Sequence, residues 1–565
     1  MKSLTIQYVS PAAPTVETWQ HGVLWHGVNE IAIELGDAHW YGQGALVHQL
    51  WPLEKMAQYA APFLTSDNGS TGLLGILHPF WWTSNGAGVL VEGSVMTTSF
   101  NAPLEGEPPA HSLKQPAPLN IRPQCARGVP TDGLLRIQGK NLTIRFFELF
   151  NAREVVEAYW QLIHVTPPPP ARYFEQPLWT TWAQFKNNIS HDTVLDFAHQ
   201  MGKHGFPCGT LGIDAMWQDV FGNTRFDPKK FPHPRRTTDA LHKLGMHVTL
   251  WCIPFFTRES DHFRTAIEKG YAIKLADGSP HIGTWWDEGE IAFLDVSNPA
   301  AANWHLDNLQ QTADETGVDG FKFDAGEGLF YSVPDLVWHE QIVPNHANQL
   351  YIEHASRRFP WSDVRSGWYS QSRSMLFRQW DKSTLWGFDN GLASCITQAM
   401  TLNLLGYPYS FPDMIGGNRY GDEQLKTLSA ELLIRWTQAV APMPIIQFSL
   451  APWEQGPECA SICARYARLH GQLARRTRRV KGPVVRPLWW TAPTDQDALV
   501  CDDEYLIGDD LLVAPVIHEG AVERHVYLPE GQWRSYWDHT EIHRGGQWLS
   551  HYPAPLDVLP LFERL

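Results

Sequence analysis

Cysteine is scarce in this chain: seven in 565 residues, at 125, 208, 252, 395, 459, 463 and 501. An odd, scattered set argues against a disulfide framework and for free thiols in a reducing compartment. Cys459 and Cys463 are one helical turn apart, but no second pair completes a zinc site. Basic residues are outnumbered, 44 against 60 acidic, giving a net charge of −16. That balance excludes nucleic acid and anionic membrane as natural partners and leaves a neutral ligand as the better fit. Uninterrupted apolar runs of about 18 residues are missing, so no membrane-spanning helix is expected. The opening MKSLTIQYVSPAAPTVETW has no apolar core of the kind a secretion signal needs, and a cytoplasmic location is the expectation. Also missing are the G-x-x-x-x-G-K-[ST] phosphate loop, H-E-x-x-H and the G-x-S-x-G elbow. The 25 histidines do not gather near acidic strand ends, so neither a metal nor another cofactor is expected.

Aromatic residues are abundant: 26 Trp, 26 Phe and 17 Tyr. Most will pack in cores, but flat amphipathic faces also suit the C–H faces of a sugar ring. Residues 1–165 read as a β-sandwich, with short runs such as VLWHGVNEIAIEL, GAGVLVEG and LTIRFFELF between turn-forming clusters. Four consecutive prolines in VTPPPPARY form a semi-rigid boundary. Over 171–485, strand-like runs alternate with helical ones. Ser190 or Asp192 can cap a helix that Gly205 ends, and Pro299 suits a first helical turn ahead of a face carrying Ala302, Leu306, Leu309 and Ala313. Repeated strand-then-helix units point to a (β/α)8 TIM barrel. An open doubly wound sheet is the alternative, without a G-x-G-x-x-G to support it. Strands return over 486–565 (DLLVAPVI, RHVYLPEGQWRSYW, HYPAPLDVLPLF), predicting a small C-terminal β-sandwich domain. The basic run RRTRRVK at 475–481 reads as a helix end whose cations complement the macrodipole.

Barrel chemistry sits at the C-terminal ends of the strands. Those ends offer Asp214 and Trp217 in GIDAMWQD, Trp251 in TLWCIPF, Lys322, Asp324 and Glu327 in FKFDAGE, and Asp413 in FPDMIGGN. A loop-rich stretch between them holds Arg365, Arg378, Asp381 and Asp389. Buried charge is costly unless it is paired or used, so a strand ending in several carboxylates calls for an explanation. An acid-rich, aromatic-lined set suits glycoside hydrolysis, in which one carboxylate attacks or stabilises an oxocarbenium-like centre and another protonates the leaving oxygen.

FKFDAGE, RSGWYSQS…RQWD, LNLLGYPYSFPDMIGGN (402–418) and YLIGDDLLVAPV (505–516), in that order, resemble glycoside hydrolase family 31 over roughly residues 170–530. HWYGQGALVHQLWPLEK, PLWTTWAQFKNNI and the FKFDAGE spelling are most similar to the branch of the myogenesis-regulating glycosidase and related α-galactosidases. The resemblance implies a retaining, exo-acting α-glycosidase working by double displacement, with α-galactosidase favoured over α-glucosidase or α-xylosidase. It implies Asp324 as nucleophile. For the acid/base, the family's R-S pair is followed sixteen residues later by an Asp, and here Arg365 leads to Asp381. The text QWDKS departs from the family's W-x-G-D, whereas Asp389 in WGFDN mimics the ending and breaks the spacing, so Asp381 is preferred and Asp389 reads as a cap or turn residue. Ring-binding roles are implied for Asp214, Trp251, Lys322, Arg365 and Asp413. Lys322 is also expected to help keep Asp324 ionised, and burial or a charged neighbour to raise the Asp381 pKa toward about 6. The partner expected is an oligosaccharide or small α-glycoside, with homo-oligomerisation open. A non-catalytic sugar-binding barrel is the alternative of another class.

Overall fold

The computed structural model describes residues 4–67, 71–104, 130–285, 289–421 and 427–565. Cys125 lies outside the described residues.

Among the described residues, eight N-terminal strands, from Ile6–Ser10 to Leu134–Glu148, join a single antiparallel hydrogen-bonded network. Within it, Leu73–Thr83 is buried along its whole length, which needs two apolar faces. Leu73, Leu77 and Trp81 face the domain's own core with Val28, Ile31, Val89 and Ile144. The alternate residues Leu74, Ile76, Phe80 and Trp82 belong to the core continuous with the barrel. One strand thus seals two cores, and the N-terminal domain is anchored to the barrel through side chains of opposite parity.

Seven strands form one parallel sheet in the order Leu376–Phe377, Asp363–Val364, Gly320–Phe323, His247–Cys252, Thr210–Ile213, Leu178–Thr180, Gln447–Phe448. Single parallel bridges, Arg378 to Phe411 and Met414 to Gln447, link the two edges through the segment 411–414 and close the ring. Helices His191–Lys203, Pro234–Lys243, Pro299–Thr316, Pro344–Arg358, Leu392–Leu404, Ala430–Val440 and Pro457–Thr477 follow the strands in sequence. Their starts are legible locally. Ser190 and Thr193 form a reciprocal cap, and Asn298 caps the helix whose first turn holds Pro299.

One βα unit is irregular. Between Asp363–Val364 and Leu376–Phe377 there is no helix, and Gly367–Trp368 instead pairs in parallel with Ile76 and Leu77 of the N-terminal sheet. The approach is so close that a Cβ on Gly75 would lie 2.3 Å from the carbonyl oxygen of Arg365, so only glycine fits there. The C-terminal region carries a six-stranded sheet from Val485–Arg486 to Leu561–Arg564 and a two-stranded pair, Glu523–Leu528 with Gln547–Pro553.

Candidate active site

The parallel register brings the strand ends to one mouth. Asp324 follows Phe323, Asp214 follows Ile213, Arg365 follows Val364 and Arg378 follows Phe377. Residues Asp214, Trp251, Lys322, Asp324, Arg365, Asp381 and Asp413 are joined there by hydrogen bonds, ion pairs and short-range fields.

Two buried arginines organise the carboxylates. Arg378 donates through Nη2 to Asp324 Oδ1 at 3.0 Å, and through Nη1 to Asp381 Oδ1 and Asp413 Oδ1, both at 2.8 Å. Its Nε faces Asp363 at 3.4 Å. Arg365 holds Glu327 (Nε to Oε1, 2.7 Å), Asp324 (3.2 Å) and Asp67 (3.1 Å), and comes within 4.0 Å of Asp381. A planar guanidinium presents five N–H donors in a fixed fork, which is why one arginine can order several carboxylates where a lysine could not.

Each carboxylate has a second restraint. Asp324 Oδ2 accepts from the Trp251 indole at 2.9 Å. Asp381 Oδ2 accepts from the Tyr420 hydroxyl at 2.9 Å. Asp413 Oδ2 accepts from the Lys382 amide at 2.8 Å and from Asn418 at 2.6 Å. Lys322 donates to Asp214 Oδ2 at 2.9 Å, and Thr180 donates to the same oxygen at 2.8 Å. Exposure separates the groups that can meet a ligand from the braces: Asp381 is 8%, Lys322 6% and Asp324 4% exposed, against 1% for Arg365 and 0% for Asp413.

The electrostatics depart from expectation at one point. Burial would raise the Asp381 pKa, but Arg378, then Arg365 and Lys322, override it and hold the carboxyl well below the ordinary range. The predicted rise toward 6 is therefore reversed, because two guanidiniums outweigh desolvation. Asp324 is likewise lowered, with burial opposed by Arg365, Lys322 and Arg378 in that order. Glu327 is raised to about 7 and Asp363 to about 6, and Asp413 and Asp67 are raised as well, each chiefly by burial.

Other expectations are refined. Lys322 pairs directly with Asp214 rather than with Glu327 or Asp324, and reaches Asp324 only through its field. Trp251 is more than a wall, since its N–H is committed to Asp324 while its ring stacks on Trp285 at 5.9 Å. Trp217 lies in the core and donates to the Trp251 carbonyl at 2.8 Å. Asp389 does not cap the following helix, whose N-cap is Gly391; it is largely exposed and pairs with His48.

Asp67 and Tyr420 carried no motif, and the sequence reading missed both. Asp67 comes from the N-terminal domain and accepts from Arg365, Trp380 (3.3 Å) and Trp285 (3.4 Å). Thr65, beside it, accepts the amide of Gly328 at 2.7 Å. Arg378, visible in RQWD, was given no role. The one available signal was its spacing: three residues before Asp381, it sits at a strand end facing the same cleft.

Comparison with known proteins agrees with this layout. The Glycosyl hydrolases family 31 TIM-barrel domain model matches residues 173–474, and the family 31 C-terminal domain model matches residues 481–565. The Myogenesis-regulating glycosidase N-terminal domain model matches residues 20–118. The mouse (Mus musculus) myogenesis-regulating glycosidase is 33% identical, over 96% of this chain and 77% of the relative. The SITS-binding protein of Tetronarce californica is 25% identical, over 93% and 74%, and the α-xylosidase of Emericella nidulans 24%, over 99% and 70%. Among solved structures, the family 31 dextranase of Flavobacterium johnsoniae with isomaltotriose has a TM-score of 0.76 at 17% identity, covering 98% of this chain and 73% of that one. The cycloalternan-degrading enzyme of Trueperella pyogenes with cycloalternan has a TM-score of 0.77 at 21% identity, covering 99% and 80%. With its barrel and C-terminal region both matched and a third of its residues shared with the mouse relative, the chain belongs to glycoside hydrolase family 31.

Proposed function

We propose that this protein is a retaining, exo-acting α-glycosidase, with terminal α-galactosides as its substrates, Asp324 as nucleophile and Asp381 as acid/base. The observation that carries the reading is the single guanidinium of Arg378, which donates to both aspartates at the barrel mouth. One guanidinium reaching both carboxylates keeps them in one cleft, and the retaining reading requires them ~5–5.5 Å apart, against the ~6.5–9.5 Å that leaves room for a water in inverting enzymes.

In the first half-reaction Asp324 attacks the anomeric carbon, and Asp381 gives its proton to the departing oxygen. Asp324 is already ionised, as a nucleophile must be. Asp381 must take up a proton when the substrate enters, and the sharing of Arg378 Nη1 with Asp413 supplies a route: a turn of the guanidinium toward Asp413 relaxes its hold on Asp381. In the second half-reaction Asp324 is esterified and uncharged. Both arginines then act on Asp381 and favour the carboxylate that deprotonates water. Asp214, Lys322, Arg365 and Asp413 orient and charge-balance the sugar site, with Trp251 fixing the nucleophile.

Galactose follows from the resemblance of HWYGQGALVHQLWPLEK, PLWTTWAQFKNNI and FKFDAGE to the branch that includes α-galactosidases, whereas other relatives' names indicate α-xyloside and α-glucoside. A panel of aryl α-glycosides tests this, with proton NMR of the first product. Turnover of galactoside with α-anomer released first is expected. A tenfold preference for glucoside or xyloside removes the galactose reading, and β-anomer released first removes retention. A second reading, a sugar-binding barrel without turnover, keeps the same cleft and is separated by the same panel. Calorimetric binding of galactose with no hydrolysis of any panel member would favour it.

A further inference from the structure

An acid/base carboxyl must be held in one orientation for its proton to meet the departing oxygen. Asp381 Oδ1 accepts from Arg378 Nη1 through one lone pair. Oδ2 receives the Tyr420 hydroxyl at 2.9 Å, and that hydroxyl in turn accepts from the Trp182 indole at 2.8 Å. An indole N–H can only donate. The tyrosine oxygen is therefore the acceptor toward Trp182, and its own hydrogen points at Asp381. Lys186 adds to this direction. Its ammonium lies 4.6 Å from the centre of the Tyr420 ring and 4.8 Å from that of Trp182, is anchored on the Asn418 carbonyl, and draws electron density from the phenol. Lys186 holds this post at φ 50°, a left-handed conformation that side chains rarely adopt.

We propose that Tyr420 is the positioning residue of the acid/base: its hydroxyl, aimed by Trp182 and Lys186, occupies one lone pair of Asp381 Oδ2 and so fixes the orientation in which the carboxyl carries the catalytic proton. The proposal rests on Asp381 being the acid/base. Among the described residues, the other groups that face Asp381 are Arg378, Arg365 and Lys322, which favour its charge, and Asp324, Asp413 and Asp67, which oppose it; Lys186 lies within the same field. Burial keeps the Tyr420 phenol protonated far above neutral pH, so it remains a donor throughout the working range.

Tyr420→Phe and replacement of Tyr420 by trifluorotyrosine test the proposal in opposite directions. A hydrogen bond to the charged form stabilises it, and one to an ionised group corresponds to about one pH unit. Loss of the hydroxyl should raise the alkaline limb of kcat/KM by about that amount, and the more acidic fluorinated phenol should lower it. Tyr420→Phe should also slow an aryl glycoside with a poor leaving group about tenfold while slowing an activated one less than about threefold. Limbs that move the same way or not at all, or equal losses on both substrates, overturn the proposal. Infrared titration of the Asp381 carboxyl, isolated by subtracting Asp381→Asn, reads the same opposite shifts without turnover. An inactive wild type would thus end the glycosidase reading while the tyrosine assignment is still decided on the carboxyl titration.

Discussion

The barrel mouth and the C-terminal sheet both bury carboxylates against arginine, with opposite results. In the C-terminal sheet Arg524 donates to Glu504 Oε1 at 2.8 Å and pairs with Asp503 at 3.0 Å. Glu504 is nevertheless raised to about 8, chiefly by burial, and its Oε2 has no hydrogen-bond partner among the described residues. At the mouth, Asp324 and Asp381 stay ionised because each lies in the field of Arg365, Arg378 and Lys322 together. The difference teaches that burial by itself does not mark a reactive carboxyl. What distinguishes Asp324 and Asp381 is the number of cations acting on each, with the desolvation cost displaced onto the neighbouring acids Glu327, Asp363, Asp413 and Asp67. Cys501, Asp503 and Glu504 lie close enough together to suggest a metal cluster, but Arg524 already occupies that charge balance.

The comparison can be broken or sharpened by substitution. Asp324→Asn should have the largest effect, lowering turnover by about 10^4-fold or more, since a covalent nucleophile has no substitute in the site. Residual activity within tenfold of wild type on the aryl glycoside panel would end the nucleophile assignment. Asp381→Asn should slow poor leaving groups by ~10^2 to 10^4-fold and activated ones far less. Equal losses on both would point to another acid.

Arg378→Gln leaves four carboxylates without their shared donor. Breaking a buried pair costs roughly 3–5 kcal/mol, so a large drop in the chemical-denaturation midpoint is expected, along with a rise in the pKa values of Asp324 and Asp381. Unchanged stability would mean the arginine is not the hub its contacts indicate. Gly75→Ala should cost about 1–3 kcal/mol through overpacking, and because the clash falls on the Arg365 carbonyl it should also lower kcat/KM. A variant that loses stability but keeps kcat/KM would separate the N-terminal sheet from the site.

The smallest effect belongs to the C-terminal sheet. The folded-state pKa of Glu504, about 8, lies above its ordinary 4.5. Its contribution is therefore fully present below about pH 4.5 and is lost as pH rises through about 8. Glu504→Gln should flatten the fall in stability between pH 5 and 8.5, measured by denaturant unfolding at each pH, and leave the pH profile of turnover unchanged. A steep fall that persists in the variant would place the titrating group elsewhere.

Much of the barrel was legible because its signals are local. Ser190, Asn298 and Pro299 mark helix starts within a few residues, and strand ends such as GFKFD announce where the chain leaves the core. The helix missing between Asp363–Val364 and Leu376–Phe377 was not legible. The residues that replace it, Gly367 and Trp368, pair with a strand nearly 300 positions away in sequence, and no local pattern encodes that partner. The cap reading of Asp389 failed for a similar reason: its position ahead of a helix suggests a cap, but its partner is His48 of the N-terminal domain.

The chain's residues by themselves determined the alternation of strand and helix, the candidate acids at strand ends and the likeness to family 31, since each depends on composition and spacing along a few turns or strands. Folding alone decided which charges share a guanidinium, how Asp67 and Tyr420 enter the cleft, and that the field of two arginines holds Asp381 ionised where burial would have neutralised it. Those outcomes depend on distances of a few ångströms between residues far apart in sequence, and electrostatic and hydrogen-bond energies change steeply over just that range.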